Sequence, residues 1–287
     1  MRNPLQPLNE ERRQPDSSMK PHSLTFADPP EGFPFAQVSG APLKPLTEVL
    51  LERRATSHFK PDPVPERYLE AILRFGMQAP SGYNLQPWRF IVVRDREARR
   101  RLQSVAMDQA KISEAPVVII AFAVEGEWRS EMDAIFREGV RRGVGKAADL
   151  PELKSTATEF LNGMDPSVWL NRHTMIAVTT MMLIAEAYGL DTAPMEGFDP
   201  VGVKREFGLP ASAEVIALLA LGFAAPPRKA YGGRVSLENA VHVEEYGRPW
   251  VTETIKSHGE FPAVSGIVPV IDVGAVKACL VVGPGLP

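Results

Sequence analysis

From residue 43 onward the chain alternates amphipathic and apolar blocks. Leu46, Val49, Leu50 and Arg53 recur at helical spacing. Pro65-Glu66 opens a second helix and places Leu69, Ile72, Leu73 and Met77 on one face. Residues 79–87 gather Pro, Ser, Gly, Asn and Gln and predict a loop. Residues 88–93 predict a strand and residues 96–105 a charged helix. Residues 116–124 form a continuous apolar run with β-branched side chains, the pattern of a buried strand. Residues 127–161 predict helix that is polar on most faces. Residues 171–188 are apolar nearly all round, which predicts a helix buried on several sides, as at a subunit interface, ended by Gly189. A short extended stretch and turn follow at 190–198. Asp199-Pro200 then starts a short helix, and residues 215–223 predict a second buried strand.

The two ends of the chain read differently. Residues 1–42 hold eight prolines and no sustained apolar period, which predicts a poorly ordered arm. Glu10, Glu11 and Asp16 break any secretory or transit signal. A central domain is expected over 43–247 and an extension over 248–287. The stretch from Phe261 is apolar, but four features interrupt it: prolines, glycines, Asp272 and Lys277. It therefore predicts no membrane span. The 287 residues are 44% hydrophobic, ample for a folded core, and net charge is -3, so no basic field draws nucleic acid or anionic lipid. Cys279 is the single cysteine, which excludes a disulfide framework and fits a reducing compartment, with the cytoplasm as expected location.

Several chemistries find no support in the residues. Five scattered histidines lack metal-ligand spacing. Residues 139–147 resemble a phosphate loop, but the spacing is one residue too long and Ala147 lacks the hydroxyl that holds magnesium. No G-x-G-x-x-G follows a strand, and no G-x-S-x-G is present. Four segments suggest an anionic, planar ligand. Arg53-Arg54 precede the hydroxyls of Thr56 and Ser57, a set that suits a phosphate ester or a solvated helix end. Ser81, Asn84 and Gln86 sit between two prolines, and their amides can read a heterocycle edge or simply build a turn. Pro194, Glu196 and Gly197 form a turn where backbone can approach a ligand. Arg228, Lys229 and Arg234 form a basic loop after the last core strand.

The order of these segments resembles the nitroreductase family of FMN-dependent oxidoreductases. Arg-Arg-x-x-x-x-Phe leads into Pro-x-Pro-Val-Pro. Next come Ala-Pro-Ser-x-x-Asn-x-Gln-Pro-Trp-x-Phe, Ala-Pro-Met-Glu-Gly-Phe-Asp and the basic loop. The resemblance spans residues 43–245. It implies an α+β homodimer with a mostly antiparallel central sheet wrapped by helices. It places FMN at the interface, so that each site draws on both chains. Position by position, it implies that Arg53 and Arg54, with Ser57, meet the phosphate and ribityl end. Ser81 and Asn84 would lie by the flavin, with Gln86 in the same loop as contact or support. Pro194, Glu196 and Gly197 would lie along the ring, the Glu196 backbone N–H near flavin N5. Arg234 would return to the phosphate.

The sequence departs from the family at the phosphate end. Ala55, Ser57 and Gly232 stand where a serine and two basic residues are common. The implied activity is hydride transfer from NADH or NADPH through the flavin to an electron-poor small molecule, a nitroaromatic or quinone, by ping-pong exchange. Other flavin reactions on the same scaffold stay open: enone reduction, dehalogenation, biosynthetic dehydrogenation. So does a non-catalytic flavin- or partner-binding protein. No side chain is implied as acid or base, and Phe136, Phe160 and Trp169 are candidates to line the pocket.

Overall fold

The computed structural model describes residues 24–251. They fall into two compact units that part after Ala230. This boundary precedes the expected end of the central domain at 247.

The first unit opens with α1 (Leu46–Glu52) and α2 (Glu66–Gly76). Pro65 sits before the first turn of α2, as the sequence predicts. Strand β1 (Trp88–Val93) leads to α3 (Arg96–Ser104), capped by Asp95, whose carboxylate accepts from the Ala98 N–H at 2.7 Å. A short helix α4 (Ala110–Glu114) precedes β2 (Val117–Val124). The polar region then splits into α5 (Glu127–Arg141) and α6 (Leu150–Asn162). The 22-residue α7 (Pro166–Ala187) follows. It begins five residues before the predicted helix, because Asp165 caps the Ser167 and Val168 N–H groups and Pro166 pre-sets the first turn. Strand β3 (Asp191–Met195), helix α8 (Pro200–Phe207) and β4 (Ala213–Gly222) complete the unit.

The four strands form one sheet in the order β1-β2-β4-β3, antiparallel at every pairing. Every residue of β2 is buried, so the apolar run at 116–124 marks a central strand. One sheet face packs on α2 and α7 through Val117, Ile119, Ala121, Leu219 and Leu221. The other face packs through Val118, Ile120, Leu218 and Ala220 on Leu102, Ile112 and Val203, side chains of α3, α4 and α8. A third cluster joins α5, α6 and the start of α7 to Leu85. This is the expected α+β architecture. Among the described residues no helix is long and apolar enough to cross a membrane.

Residues 24–42 depart from the expectation of a loose arm. They run back along α2. Phe33 meets Phe75 edge to face at 5.8 Å, and the Tyr68 hydroxyl donates to the Gln37 carbonyl at 2.9 Å. The Val38 N–H donates to the Tyr188 carbonyl at 3.0 Å. Apolar side chains spaced between the prolines give this stretch surface to bury, which composition alone concealed. Residues 1–23 and 252–287, the rest of the expected arm and most of the extension, lie outside the described residues. The second unit contributes α9 (Leu237–Ala240) and a bridge between His242 and Pro249.

Helices α2 and α7 approach so closely at Gly76 that an added Cβ would meet Met181 Cγ and Cε. Met181 is fully buried and cannot swing away. Gly76→Ala should therefore destabilise the protein by about 1–3 kcal/mol through overpacking. A lowered midpoint in chemical denaturation is the expected result; an unchanged midpoint would show that this contact yields freely.

Candidate active site

The basic stretch that leaves α1 is held as an extended ribbon on the outer edge of β3. Ala55 pairs with Thr192 in a parallel bridge, and the Thr56 N–H donates to the Thr192 carbonyl at 3.0 Å. Phe59 pairs with Ala224. Arg54 is turned onto backbone, its Nη1 donating to the Leu51 carbonyl at 2.6 Å and the Arg53 carbonyl at 2.9 Å. Arg53 is half-buried, and its guanidinium makes no hydrogen bond or ion pair among the described residues. Ser57 is exposed. The Thr192 hydroxyl is buried behind this ribbon without a partner.

Two buried acids shape the electrostatics here. Glu186, only 2% exposed, accepts from Lys44 Nζ at 2.6 Å. Asp191 accepts from Arg228 Nη2 at 2.6 Å and from the Ala224 N–H at 2.9 Å. Burial opposes the charge on Lys44, but the hydrogen bonds to Glu186 and Glu52 outweigh it and raise the ammonium pKa. Hydrogen bonding to Asp191, against the opposing effect of burial, likewise raises Arg228. Neither acid was singled out by the sequence.

The second predicted segment is a tight loop at the other end of the sheet. Tyr83, Asn84 and Gln86 all take left-handed backbone, at φ 54°, 55° and 44°. This conformation costs a non-glycine residue roughly 1–2 kcal/mol. Three in four residues persist because the surroundings hold them. Ser81 Oγ accepts from the Gln86 N–H at 2.9 Å, and Gln86 Nε2 donates to the Asn84 carbonyl at 3.1 Å. Leu85 is fully buried, and Trp88 nearly so. A Cβ on Gly82 would stand 3.3 Å from Trp169 Nε1 and 3.4 Å from His173 Nε2. The His173 ring lies 4.4 Å from that of Trp169, and its Nδ1 is 2.7 Å from the Trp169 carbonyl. Trp169 and His173 thus form the floor under the loop. The Asn84 side chain is exposed and makes no hydrogen bond among the described residues.

The third segment follows β3. Pro194 is half-buried and Glu196 exposed. The Glu196 N–H has no acceptor among the described residues, whereas its carbonyl accepts from the Phe198 N–H at 3.1 Å. Gln109 Nε2 donates to the Gly197 carbonyl at 2.8 Å, and a Cβ on Gly197 would stand 3.1 Å from Met107 Sδ. Met107 and Asp108 are themselves left-handed, at φ 54° and 49°. This supporting turn carried no sequence signal.

Helix α7 measures how far apart these pieces stand. The Ser81–Gln86 loop rests on Trp169 and His173, near its start. The Arg53–Ser57 ribbon lies by Asp191, just past its end. At 1.5 Å per residue the two anchorages are about 20–25 Å apart along the helix. Strand β3 turns back along α7 at Gly189, so Pro194, Glu196 and Gly197 lie part-way between. Arg234 belongs to the second unit, where its guanidinium lies 5.5 Å over the Tyr231 ring. Phe136 and Trp169 are core residues, at 8% and 3% exposure. Phe160 is 52% exposed and meets Tyr83 edge to face at 5.9 Å. No group of three metal-ligating side chains occurs among the described residues.

The family model of the nitroreductase family matches residues 50–223, which span the ribbon, the loop and the turn after β3. The chain belongs to the nitroreductase family. A relative from Thermus thermophilus, an NADH dehydrogenase, is 37% identical over 195 residues, covering 67% of this chain and 92% of its own. Solved nitroreductase folds superpose as well. One from Exiguobacterium sibiricum, in complex with FMN, has a TM-score of 0.65 at 20% identity, covering 70% of this chain and 98% of its own. An enone reductase of gut-bacterial fatty acid saturation has a TM-score of 0.61 at 18% identity, over 70% and 98%. With the family comes the enzyme class: this nitroreductase-family protein is an oxidoreductase.

Ser81→Ala removes the acceptor that ties the loop of this nitroreductase-family protein into its left-handed path. A loss of about 1 kcal/mol of stability is expected, with or without added flavin. Thermal melts that coincide with wild type would show that the Trp169–His173 floor alone holds the loop.

Proposed function

We propose that the protein is an FMN-dependent oxidoreductase, working as a homodimer, that passes hydride from NADH or NADPH to an electron-poor acceptor such as a nitroaromatic or quinone. The observation that carries this reading is Arg53. A half-buried guanidinium, fixed beside a strand and lacking any partner among the described residues, suits a phosphate monoester. Two further groups match other parts of the same cofactor. The Asn84 amide offers a donor and an acceptor to a heterocycle edge. The Glu196 N–H, also without an acceptor, offers a donor to a ring nitrogen, and Gly197 and Pro194 leave room for a flat ring.

Bound FMN would supply two-electron exchange between nicotinamide and acceptor. The chain would position it. Arg53, with Arg54 and Ser57, would hold the phosphate and ribityl end, aided by Arg234. Ser81 fixes the loop that presents Asn84, with Gln86 as its internal brace. Pro194, Glu196 and Gly197 would line the ring, and the Glu196 N–H would orient it at N5. One open face, taken in turn by donor and acceptor, makes the exchange ping-pong and needs no side-chain nucleophile. Phe160 and Tyr83 give that face an aromatic rim for a planar acceptor. The single cysteine fits work in the reducing cytoplasm.

The arrangement along α7 supports a dimer, because Arg53 and Asn84 of one chain lie toward opposite ends of the helix. A two-fold axis that pairs α7 antiparallel with its copy brings the end of one helix beside the start of the other. Arg172, Ile176, Thr179 and Leu183 lie on one side of α7 and are open or half-open to solvent, a face for that pairing. The enone reductase fold supports a second reading, enone reduction on the same site, and product analysis with both acceptor classes separates the two.

The protein should purify with a flavin absorption spectrum that bleaches under NADH or NADPH without oxygen. A protein that neither carries nor takes up FMN would overturn the reading. Arg53→Ala should weaken FMN binding by about ten- to a hundredfold, the loss of a charge-assisted hydrogen bond. Mixed dimers of Arg53→Ala and Asn84→Ala chains should regain one tight FMN site per dimer. Mixed dimers as weak as either parent would show that both residues serve the flavin from one chain.

A further inference from the structure

A small polar notch opens beside the Arg53–Ser57 ribbon, lined by Arg54, Thr56, Ser57, Asp191, Arg228 and Lys229. It has room for one small polar group and none for a ring. Three cations reach it, and their surroundings differ. Arg228 is matched by carboxylates, 2.6 Å from Asp191 Oδ1 and 3.9 Å from Glu186 Oε1. Arg54 directs Nη1 into two backbone carbonyls. Lys229 makes no hydrogen bond or ion pair among the described residues.

Besides the charged groups of the notch, Lys229 acts on another cation. Lys111, half-buried on α4, also lacks a carboxylate partner. Burial pushes its ammonium below the usual lysine range, and Lys229 pushes it further. The Lys229 ammonium, beside the Thr56 and Ser57 hydroxyls and repelling the charge on Lys111, marks a locus that an anion would relieve.

Resting on the FMN reading above, we infer that Lys229, at the mouth of this notch, supplies a cation for the flavin phosphate. Arg228 does not take this role, because Asp191 holds it. Lysine suits the task as a flexible point charge that needs no fixed fork geometry. The phosphate would then rest between Arg53 on the ribbon and Lys229 on the loop after β4, with the ribbon hydroxyls as donors.

The test compares FMN with riboflavin, which lacks the phosphate, by quenching of flavin fluorescence on the full chain. Wild type should prefer FMN. Lys229→Ala should weaken FMN about tenfold or more while leaving riboflavin unchanged. Lys229→Arg should restore most of the preference. Lys229 is exposed, so these variants keep the fold, and matching thermal melts check it. An FMN preference that survives Lys229→Ala overturns the inference but leaves the FMN reading intact. A wild type that binds neither flavin overturns both.

Discussion

The fold depends on the burial of α7 along the four-stranded sheet. The helix contacts all four strands and both α1 and α2. Its inward side chains, Ala177, Val178, Met181 and Ala185, are all fully buried. At about 25 cal/mol per Å² of apolar surface, this seam is a leading source of stability. It also sets the geometry of the site. Whatever packs at the start of α7 stands a fixed length from whatever packs at its end. Trp169 and His173 support the amide loop at one end, and the Glu186–Asp191 acids anchor the basic ribbon at the other. Because close-packed seams do not stretch, the spacing between the two ends is fixed within one chain.

Charge is handled differently at the two ends. At the ribbon, the buried carboxylates of Glu186 and Asp191 engage Lys44 and Arg228, and Arg53 stays uncommitted. The loop itself carries no acidic or basic side chain, although Arg89 donates to its Gln86 carbonyl, and it offers backbone shape and amide groups. On the proposed reading, an ester dianion at the ribbon and an uncharged heterocycle edge at the loop would be the two ends of one FMN molecule.

Much of this was legible in the sequence. The strands at 88–93 and 116–124 were visible because both faces of the central strand are apolar. Helix α8 was visible from Asp199-Pro200. The same Asp-Pro signal at 165–166 marks the start of α7, yet the polar run before it hid the boundary. The short helix α4 and the left-handed turn at Met107 and Asp108 have no periodic signal and arise from tertiary packing. Arg53, Asn84 and Glu196 stand out in the sequence through family motifs. Pairings across long stretches of chain were not: Ala55 with Thr192, Gln109 with Gly197, and His173 beneath Gly82. Nor could exposure be read from residue type, which is why Phe136 and Trp169 belong to the core and Phe160 to the surface.

The strap at residues 24–42 lies wholly before the matched segment at 50–223. It seals Tyr68, Phe75 and Tyr188, aromatic side chains on the flank of that matched segment. The thermodynamic boundary of this molecule is therefore wider than its evolutionary one. A catalytic core trimmed to its recognisable limits would present a new apolar surface to solvent, and its behaviour would report on that exposed flank as much as on the enzyme.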